Sequence, residues 1–547
     1  QSRGLGDVYK RQGYNVQYRE GSTGRWSRGS QGPETHKEDT KMEYADGKVK
    51  DLQIAYIGGG SRGWAWTFMT DLAMDEELSG TIRLYDIDAE AAKHNEIIGN
   101  RLSSREDVVG KWNYTVSDSL QSALTGADFI VISILPGTFD EMAVDVHMPE
   151  RLGIYQSVGD TAGPGGAMRA LRTIPMYVEI AQAIRAYAPK AWVINYTNPM
   201  SLCVKTLYYV FPEIKAFGCC HEVFGTQKVL KGILEETMGL KDVKREDIQV
   251  NVLGINHFTW FDYASYKGID LFPIYRKYTE EHKEDGYKEA DKNWANSTFE
   301  CAHIVKFDLF RKYGLIAAAG DRHLVEFMPG VGDSYLKDPE TVKRWKFGLT
   351  TVDWRKKDLQ ERLAKSARLA AGEEEIELKP TGEEGIQLIK ALCGLTRKIS
   401  NVNIPNTGHQ IANLPESAVV ETNAVFERDA IRPLYAGELP EQIKELVDPH
   451  VANHERILKA AILCDFDLVV EAFLEDPQVK GRASREQVEE LVREEINPRD
   501  SWRASKAFRL QIGGEIAKRA LKESVRRGMV TGVVVPDVRT TSGENIS

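Results

Sequence analysis

The sequence predicts an α/β fold, in which a parallel sheet is joined to a second domain of mixed helices and strands. Two observations predict it. Short apolar runs, typical of buried parallel strands, alternate with helical stretches along the first part of the chain. These runs end in loops of glycine, proline and polar residues, as strands do where an open parallel sheet binds a ligand. The length of 547 residues leaves room for two domains or more.

The first strand and the turn after it predict a dinucleotide-binding site. The apolar residues 52–57 run directly into Gly58-Gly59-Gly60-Ser61-Arg62-Gly63, a G-x-G-x-x-G pattern followed by a helical stretch. Such glycines permit a tight turn, a close approach to a pyrophosphate and close helix packing, and the helix N-terminus offers free N–H groups. A second strand, 81–85, ends at Asp86, which lies 23 residues after Gly63. An acid at that distance suits a ribose 2′-hydroxyl and favours NAD over NADP. The sequence therefore predicts a Rossmann domain.

Further strands are predicted at residues 127–135, 191–195 and 214–219, with helices at 168–187 and 201–209 between them. The loops at the carboxyl ends of these strands contain Pro136-Gly137, Asn198-Pro199 and Cys220-His221. Because parallel strands end at the same edge of a sheet, we expect these loops to face one crevice.

Cys220 and His257 are candidate metal ligands, since each follows an apolar strand. Their spacing matches neither the Cys-x-x-Cys nor the His-x-x-x-His pattern of zinc sites. From spacing alone, a buried cysteine and a hydrogen-bonded core histidine are the favoured interpretation.

Composition excludes several classes of protein. The chain has 71 basic and 81 acidic residues, a balance against a dedicated nucleic-acid binder. It has no run of about 18 apolar residues, which a membrane-spanning helix would need. Six cysteines in so long a chain do not form a disulfide framework, so we predict a reducing cytoplasm.

Three segments differ from the rest. Residues 1–41 contain seven glycines and eight basic side chains but few aliphatic ones, which predicts a disordered or non-native tail before a natural start at Met42; a genuine disordered tail is the alternative. The charge-dense stretch 338–379 predicts solvated helices or an insertion. Residues 486–494 predict an exposed amphipathic helix, and 532–547 a loose terminus.

Taken together, several motifs resemble glycoside hydrolase family 4 over roughly residues 50–480. They are GGGSRG (58–63), LYDID (84–88), GDTAGPGGAMRALRTIP (159–175), NYTNPM (195–200), CHEVFG (220–225), INHF (255–258), NIPNTG (403–408) and IANLPESAVVE (411–421). The resemblance implies a lactate/malate-dehydrogenase-like architecture. We expect a Rossmann NAD-binding domain over 50–250, and a substrate, metal and oligomerisation domain over 251–530.

The resemblance also implies a glycosidase that uses NAD, unlike most glycosidases. In this family, NAD⁺ takes a hydride from C3 of the sugar, while a divalent metal, usually Mn²⁺, binds the sugar oxygens. The C3 ketone acidifies the C2 proton, a base removes it, and the aglycone leaves from C1. Water then adds and the hydride returns.

By motif position, the resemblance implies these site residues: NAD at Gly58, Gly60, Ser61, Arg62, Gly63, Asp86 and Pro136; metal at Cys220 and His257; sugar at Asn198 and Asp160. His221 stands where related enzymes carry an acid, and an imidazole can do that work. Tyr313 and Asp321 are alternative candidates for the base. Arg322 and His323 are cations suited to an anionic sugar.

The Cys-His-Glu-Val sequence followed by Phe-Gly resembles the α-galacturonidase subgroup. The expected partner is a small-molecule sugar, a uronide, and the expected assembly is a homodimer or homotetramer. Alternatives in the family are α-glucuronidase, α-galactosidase and α-glucosidase. Alternatives of other classes are a hydroxy-acid dehydrogenase of the lactate/malate type and a non-catalytic NAD-binding regulator.

Overall fold

The computed structural model describes residues 42–288, 301–349 and 351–496. The chain divides into two compact units, 1–489 and 490–547, of which the second is described only through residue 496. The segments 1–41 and 532–547, and the last part of the predicted second domain, lie outside the described residues. The predicted domain boundary near residue 250 stays a prediction.

The strands of the described residues form two sheets. In chain order they are β1 (Glu43–Ala45), β2 (Lys48–Ile57), β3 (Leu78–Tyr85), β4 (Trp112–Val116), β5 (Phe129–Ile132), β6 (Trp192–Asn195), β7 (Lys215–Gly218), β8 (Ile248–Ile255), β9 (Phe258–Tyr266), β10 (Ile269–Asp270), β11 (Ile316–Ala317), β12 (Lys398–Pro405), β13 (Val419–Glu427) and β14 (Ala430–Pro433).

The larger sheet has ten strands and contains the predicted parallel half. Its order is β14-β13-β12-β7-β6-β5-β2-β3-β4, with β1 paired antiparallel to β2. The strands from β7 to β4 are all parallel, and β12, β13 and β14 add to this half by antiparallel pairing. Read outward from β2, the parallel half has the doubly wound order of a Rossmann domain, so the predicted fold class is confirmed.

The smaller sheet is antiparallel and has four strands. In it β9 pairs with β8, β10 and β11, and the β8–β9 hairpin closes at Ile255 and Phe258.

Sixteen α-helices occur in the described ranges. They are α1 (Trp64–Ala73), α2 (Ala89–Ser104), α3 (Leu120–Leu124), α4 (Phe139–His147), α5 (Gly163–Tyr187), α6 (Met200–Val210), α7 (Glu222–Met238), α8 (Phe272–Glu281), α9 (Ile304–Tyr313), α10 (Asp321–Phe327), α11 (Pro339–Arg344), α12 (Val352–Ala371), α13 (Gly385–Cys393), α14 (Glu441–Leu463), α15 (Phe466–Leu474) and α16 (Arg485–Ile496). No helix among these described residues has the length and apolarity needed to cross a membrane.

The second part of strand β2, residues 52–57, is apolar except for Gln53 because both of its faces are buried. Leu52, Ile54 and Tyr56 pack into the core on one face of the sheet, while Ala55 and Ile57 pack into the core on the other. A strand covered by helices on both faces cannot alternate between apolar and polar residues. Strand β2 is therefore held by core packing on both faces of the sheet.

The stretch 338–379 contains two helices, α11 and α12, and most residues of α12 are solvated, as its charges predict. One face of α12 nevertheless packs on the protein, because its first residue, Val352, is buried against Met142 and Val146 of α4. Further along, Arg101 of α2 donates to the carbonyl of Leu369 (2.9 Å). The charges of α12 cover only one face, since its other face packs on the dinucleotide-binding half.

Candidate active site

The dinucleotide turn, residues 58–63, follows β2 as predicted. Gly58 has φ +94°, and a Cβ there would collide with the carbonyl oxygen of Ser133, so no other residue fits. A Cβ on Gly60 would meet Ala91 at 2.6 Å. The Asp86 carboxylate accepts the N–H of Gly60 (2.8 Å), which places the acid beside the turn.

The other predicted NAD residues lie around this turn. The Arg62 guanidinium lies 3.5 Å from the carboxylate of Asp88, and the Ser61 amide closes the turn onto the Gly58 carbonyl (3.0 Å). Asn95 of α2 donates to the carbonyl of Ser61 (3.0 Å). Pro136 is buried beyond the carboxyl end of β5. These contacts fix the turn directly before the N-terminus of α1.

A polar cluster of Asp160, His257 and His323 is the second feature. One potential ligand atom from each residue lies within 4.8 Å of the others. The three come from different elements: a loop before α5, the turn of the β8–β9 hairpin, and the start of α10. The imidazole rings of His257 and His323 are 3.9 Å apart between centroids.

His257 is held in an uncommon conformation. Its φ of +63° lies in the left-handed region, which non-glycine residues rarely adopt, and its side chain is buried. Such backbone strain persists only where the surrounding structure imposes it, and it concentrates at functional sites. Here the tight hairpin turn directs the imidazole toward the cluster.

Thr161 fixes which nitrogen of His257 carries the proton. Its hydroxyl donates to Asp160 Oδ1 (2.7 Å) and lies 3.1 Å from His257 Nδ1. Since a hydroxyl has one hydrogen, the contact with His257 must have Nδ1–H donating to the threonine oxygen. The lone pair of His257 Nε2 is then the one available to a ligand.

His323 is positioned by Glu222, the first residue of α7. Its Nε2 lies 3.7 Å from Glu222 Oε1, and its Nδ1 is buried and makes no hydrogen bond within the described structure. Burial lowers the pKa of His323, and burial lowers the pKa of His257 to about 3. Both imidazoles are therefore neutral near pH 7 and carry lone pairs.

Asp160 supplies the negative charge of the cluster. Burial raises the pKa of its carboxyl group, but the Arg169 guanidinium, with His323 and His257, outweighs burial and lowers the pKa to about 2. Two neutral imidazoles and one carboxylate are a donor set that suits Mn²⁺, Fe²⁺, Co²⁺ or Zn²⁺. The residues present therefore fit a divalent metal.

Cys220 follows β7 but is not a member of the polar cluster. Its thiol is buried, and burial together with the carboxyl groups of Glu421 and Glu222 raises its pKa well above the ordinary value. Asn401 donates to its backbone carbonyl (3.1 Å). Its assignment as a metal ligand stays a prediction.

His221 is half-exposed at the start of α7. Its Nδ1 lies 3.3 Å from Glu383 Oε1, and its ring is 5.9 Å from that of Trp64, the first residue after the dinucleotide turn. Burial lowers the pKa of His221, but the contact with Glu383 outweighs it and raises the pKa to about 9. His221 is therefore a cation at neutral pH.

The two candidate bases lie in different surroundings. The Tyr313 ring packs edge-on against Trp260 (5.9 Å), at the margin of a hydrophobic core. Asp321 is fully buried, and its two oxygens accept the amides of Val305 and Lys306 (3.1 Å each) at the start of α9. These hydrogen bonds hold the start of α9, and neither residue belongs to the polar cluster.

The remaining sugar-binding candidates, Arg322 and Asn198, each take part in hydrogen bonds between a guanidinium group and a backbone carbonyl. Arg322 donates to the carbonyls of Gly348 (3.0 Å) and Ser157 (2.8 Å). Asn198 accepts from Arg169 through its backbone carbonyl (3.0 Å), while its side-chain oxygen is buried without a hydrogen bond from any described residue. Asn198 thus keeps an acceptor for a ligand.

Comparison with known families decides the assignment. The model of the family 4 glycosyl hydrolases matches residues 53–236, and that of the family 4 glycosyl hydrolase C-terminal domain matches residues 252–479.

The chain belongs to glycosyl hydrolase family 4. This assignment confirms the resemblance and sets aside the dehydrogenase and regulator alternatives.

Three similar proteins illustrate the family. An α-galacturonidase of Lachnoclostridium phytofermentans is 71% identical over 83% of this chain and 97% of its own. A structure described as a glucosidase from Bacillus subtilis is 51% identical, with a TM-score of 0.77 over 82% of this chain and 100% of that one. A 6-phospho-α-glucosidase from gut microorganisms, solved with NAD and Mn²⁺, is 21% identical, with a TM-score of 0.66 over 82% and 97%.

Sequence reasoning about this family 4 protein missed Glu222, Thr161 and Arg169. Each lies in a motif that also holds a predicted site residue: Glu222 in CHEV, and Thr161 and Arg169 in GDTAGPGGAMR. His323 was assigned to the sugar, whereas the structure groups it with His257 and Asp160. No local pattern connects residues so far apart in the chain.

Proposed function

We propose that this family 4 chain is an α-galacturonidase that acts with NAD and a divalent metal, with Mn²⁺ as the first candidate. The polar cluster carries the metal part of the proposal, because it joins one carboxylate and two neutral imidazoles. The 71% identity to an α-galacturonidase supports the substrate, and the relative solved with NAD and Mn²⁺ supports the cofactors.

In this proposal, the dinucleotide turn and Asp86 hold NAD, while His257, His323 and Asp160 hold the metal. Cys220 is a further candidate ligand, through the family resemblance. Bound NAD exchanges a hydride with the sugar, and a bound divalent metal polarises sugar oxygens as a Lewis acid. The chain itself orients both groups. Thr161 fixes the tautomer of His257, and Glu222 faces the ring of His323.

His221 is the proposed general acid. A protonated imidazole can give its proton to the leaving oxygen, and Glu383 keeps it protonated at neutral pH. Its half-exposed side chain reaches solvent, from which it can be reprotonated. The base stays open between Tyr313 and Asp321.

A substrate panel tests the proposal. Aryl α-galacturonide, α-glucuronide and α-galactoside are assayed with NAD⁺ and Mn²⁺, then with each omitted after stripping and EDTA treatment. We expect turnover of the galacturonide only when both are present. Turnover that persists without both would refute the mechanism, and turnover of neutral sugars alone would refute the uronide substrate.

We further propose a cytoplasmic homodimer or homotetramer, with the second domain beginning near residue 251 and carrying the assembly contacts. The described cysteines all carry free thiols, which suits a reducing compartment. Light scattering of the purified chain measures the assembly, and a monomer at micromolar concentration would contradict it.

A further inference from the structure

Helix α12 places a cation beside the polar cluster. Val352, one turn before Arg355 on α12, packs on Val146, and Val146 lies against Gly159, where a Cβ would meet it at 2.6 Å, next to Asp160. The guanidinium groups of Arg355 and Arg322 interact electrostatically with the Asp160 carboxylate and with each other, and Arg169 interacts with Asp160 as well. Three arginines around one carboxylate leave an excess of positive charge. That charge is suited to an anionic ligand.

Two of these arginines already donate hydrogen bonds to backbone carbonyls of the protein. Arg169 donates from Nε to the carbonyl of Asn198 (3.0 Å), and Arg322 donates to the carbonyls of Ser157 and Gly348. The Nε of Arg355 differs from theirs, because it is buried and has no hydrogen-bond partner among the described residues. A buried donor without a partner destabilises the protein, unless a ligand accepts from it.

Neighbouring acids do not provide that partner. Asp358, on the next turn of α12, accepts from Arg362 (2.7 Å). Asp160 accepts from Thr161 and belongs to the proposed metal site. Neither acid therefore forms a hydrogen-bonded ion pair with Arg355.

The helix itself is anchored, so Arg355 is held in place. Lys356 lies 2.7 Å from Asp140 of α4, and Arg362 donates to the carbonyl of Arg62 in the dinucleotide turn (3.0 Å). At the helix start, the Thr351 hydroxyl accepts the N–H of Trp354 (3.4 Å). A preorganised guanidinium binds a planar carboxylate better than a mobile one does.

We propose that Arg355 binds the C6 carboxylate of the uronide and makes the site select uronides over neutral hexosides. This inference rests on the proposed α-galacturonidase function. Arginine can bind a carboxylate through two parallel N–H···O bonds, whereas a hexose hydroxymethyl group offers no matching charge. Arg322 remains the support of the loops on which the site is built.

The test compares Arg355→Gln with wild type on an aryl α-galacturonide and on its methyl ester, with NAD⁺ and Mn²⁺ present. The ester differs only at the carboxylate. We expect kcat/KM for the galacturonide to fall on the order of 10²-fold, mainly through KM, because a charge-assisted hydrogen bond is lost. The value for the ester should change by less than about threefold.

Two further variants complete the design. Arg355→Lys keeps the positive charge but cannot form two parallel hydrogen bonds to a carboxylate. Its kcat/KM should fall roughly tenfold for the galacturonide and stay unchanged for the ester. Lys357→Gln removes a charge from the exposed face of the same helix and should match wild type on both substrates. Dissociation constants for D-galacturonate and its methyl ester, measured with the NAD- and Mn-loaded protein, should show the same selective loss and do not depend on turnover.

The outcomes separate the two proposals. If wild type fails to hydrolyse any galacturonide, the proposed function is wrong whatever Arg355 does. If wild type is active but Arg355→Gln weakens the acid and the ester equally, Arg355 is structural and the inference is overturned. If Arg355→Gln selectively lowers the affinity for NAD, Arg355 binds the dinucleotide, and the inference about the carboxylate is overturned as well.

Discussion

The dinucleotide turn and the polar cluster are built in opposite ways. The turn is contained in residues 58–63, with Asp86 following one helix and one strand later. The cluster joins Asp160, His257 and His323, which lie in three separate elements. The difference teaches which kind of site a single sequence reveals, because only the turn follows from constraints between near neighbours.

The physics of the two regions also differs. The turn requires glycine for steric reasons, since a Cβ on Gly58 would collide with the Ser133 carbonyl. The properties of the cluster depend instead on charge and protonation, since one ionised carboxylate faces two imidazoles that burial keeps neutral. Substitutions in the turn should therefore lower the affinity for NAD, and substitutions in the cluster should lower the affinity for the metal.

The largest expected effect is that of His257→Ala, because His257 belongs both to the cluster and to the pair with Cys220 that the family implies. Turnover should fall by more than about 10³-fold, since the metal no longer has its ligand. Calorimetric titration with Mn²⁺ should show weaker binding, while NAD affinity stays within about threefold of wild type. Equal loss of NAD affinity would contradict the separation of the two regions.

His323→Ala and Cys220→Ser distinguish the two ligand sets. We expect His323→Ala to lower Mn²⁺ affinity at least 10–100-fold, the range seen when even supporting groups of metal sites are removed. If Cys220→Ser lowers the affinity and His323→Ala leaves it unchanged, the thiol pair holds the metal and the cluster does not.

Gly58→Ala should have the next largest effect, and it acts on the other region. The residue would be held at φ +94°, at a cost of about 1–3 kcal/mol, and its Cβ would displace the Ser133 carbonyl. NAD affinity should fall on the order of 10²-fold, as measured by protein fluorescence titration.

The matched control is Gly437→Ala. Gly437 has a similar φ of +97°, but a Cβ there meets nothing within 4 Å. It should lower the free energy of unfolding without weakening NAD binding. Equal NAD affinities for the two variants would show that the close approach of Gly58 to the Ser133 carbonyl does not limit NAD binding.

These two regions also show how much the sequence alone could predict. The parallel strands, the turn and Asp86 were predictable, because apolar runs and glycines act over a few residues. The role of α12 was not predictable. Its charges suggested a solvated helix, and only its packing on α4 and α2 shows that one face is buried. The grouping of His323 with His257 likewise depends on tertiary contacts.

Asp86→Asn should have a smaller effect, confined to the turn. The carboxylate accepts the N–H groups of Gly60 (2.8 Å) and Asp88 (2.9 Å), and an amide can keep one such contact through its oxygen. We expect NAD affinity to fall roughly tenfold and the preference over NADP to narrow, because the charge that repels a 2′-phosphate is gone. Unchanged affinities for both cofactors would place the ribose elsewhere.

Glu326→Gln should have the smallest effect, on stability rather than on activity. Glu326, on α10 three residues after His323, accepts the amides of Val158 (2.7 Å) and Gly159 (2.8 Å) beside Asp160. Burial raises its pKa from 4.5 to about 8. The folded chain therefore keeps a proton that the unfolded chain loses, so this contribution to stability is complete below pH 4.5 and is lost as the pH rises toward 8.

Urea unfolding of the metal-free protein at pH 5, 6, 7 and 8 measures this contribution. Each pKa unit corresponds to about 1.4 kcal/mol, which sets an upper limit on the slope. The free energy of unfolding of Glu326→Gln should fall less steeply over this range than that of wild type. The exposed Glu340→Gln should retain the wild-type slope. Parallel slopes for all three proteins would mean that Glu326 is ionised in the folded state. The support of the Asp160 loop would then be a buried charge, and the link between α10 and that loop would be a hydrogen bond to an ionised carboxylate rather than to a neutral carboxyl group.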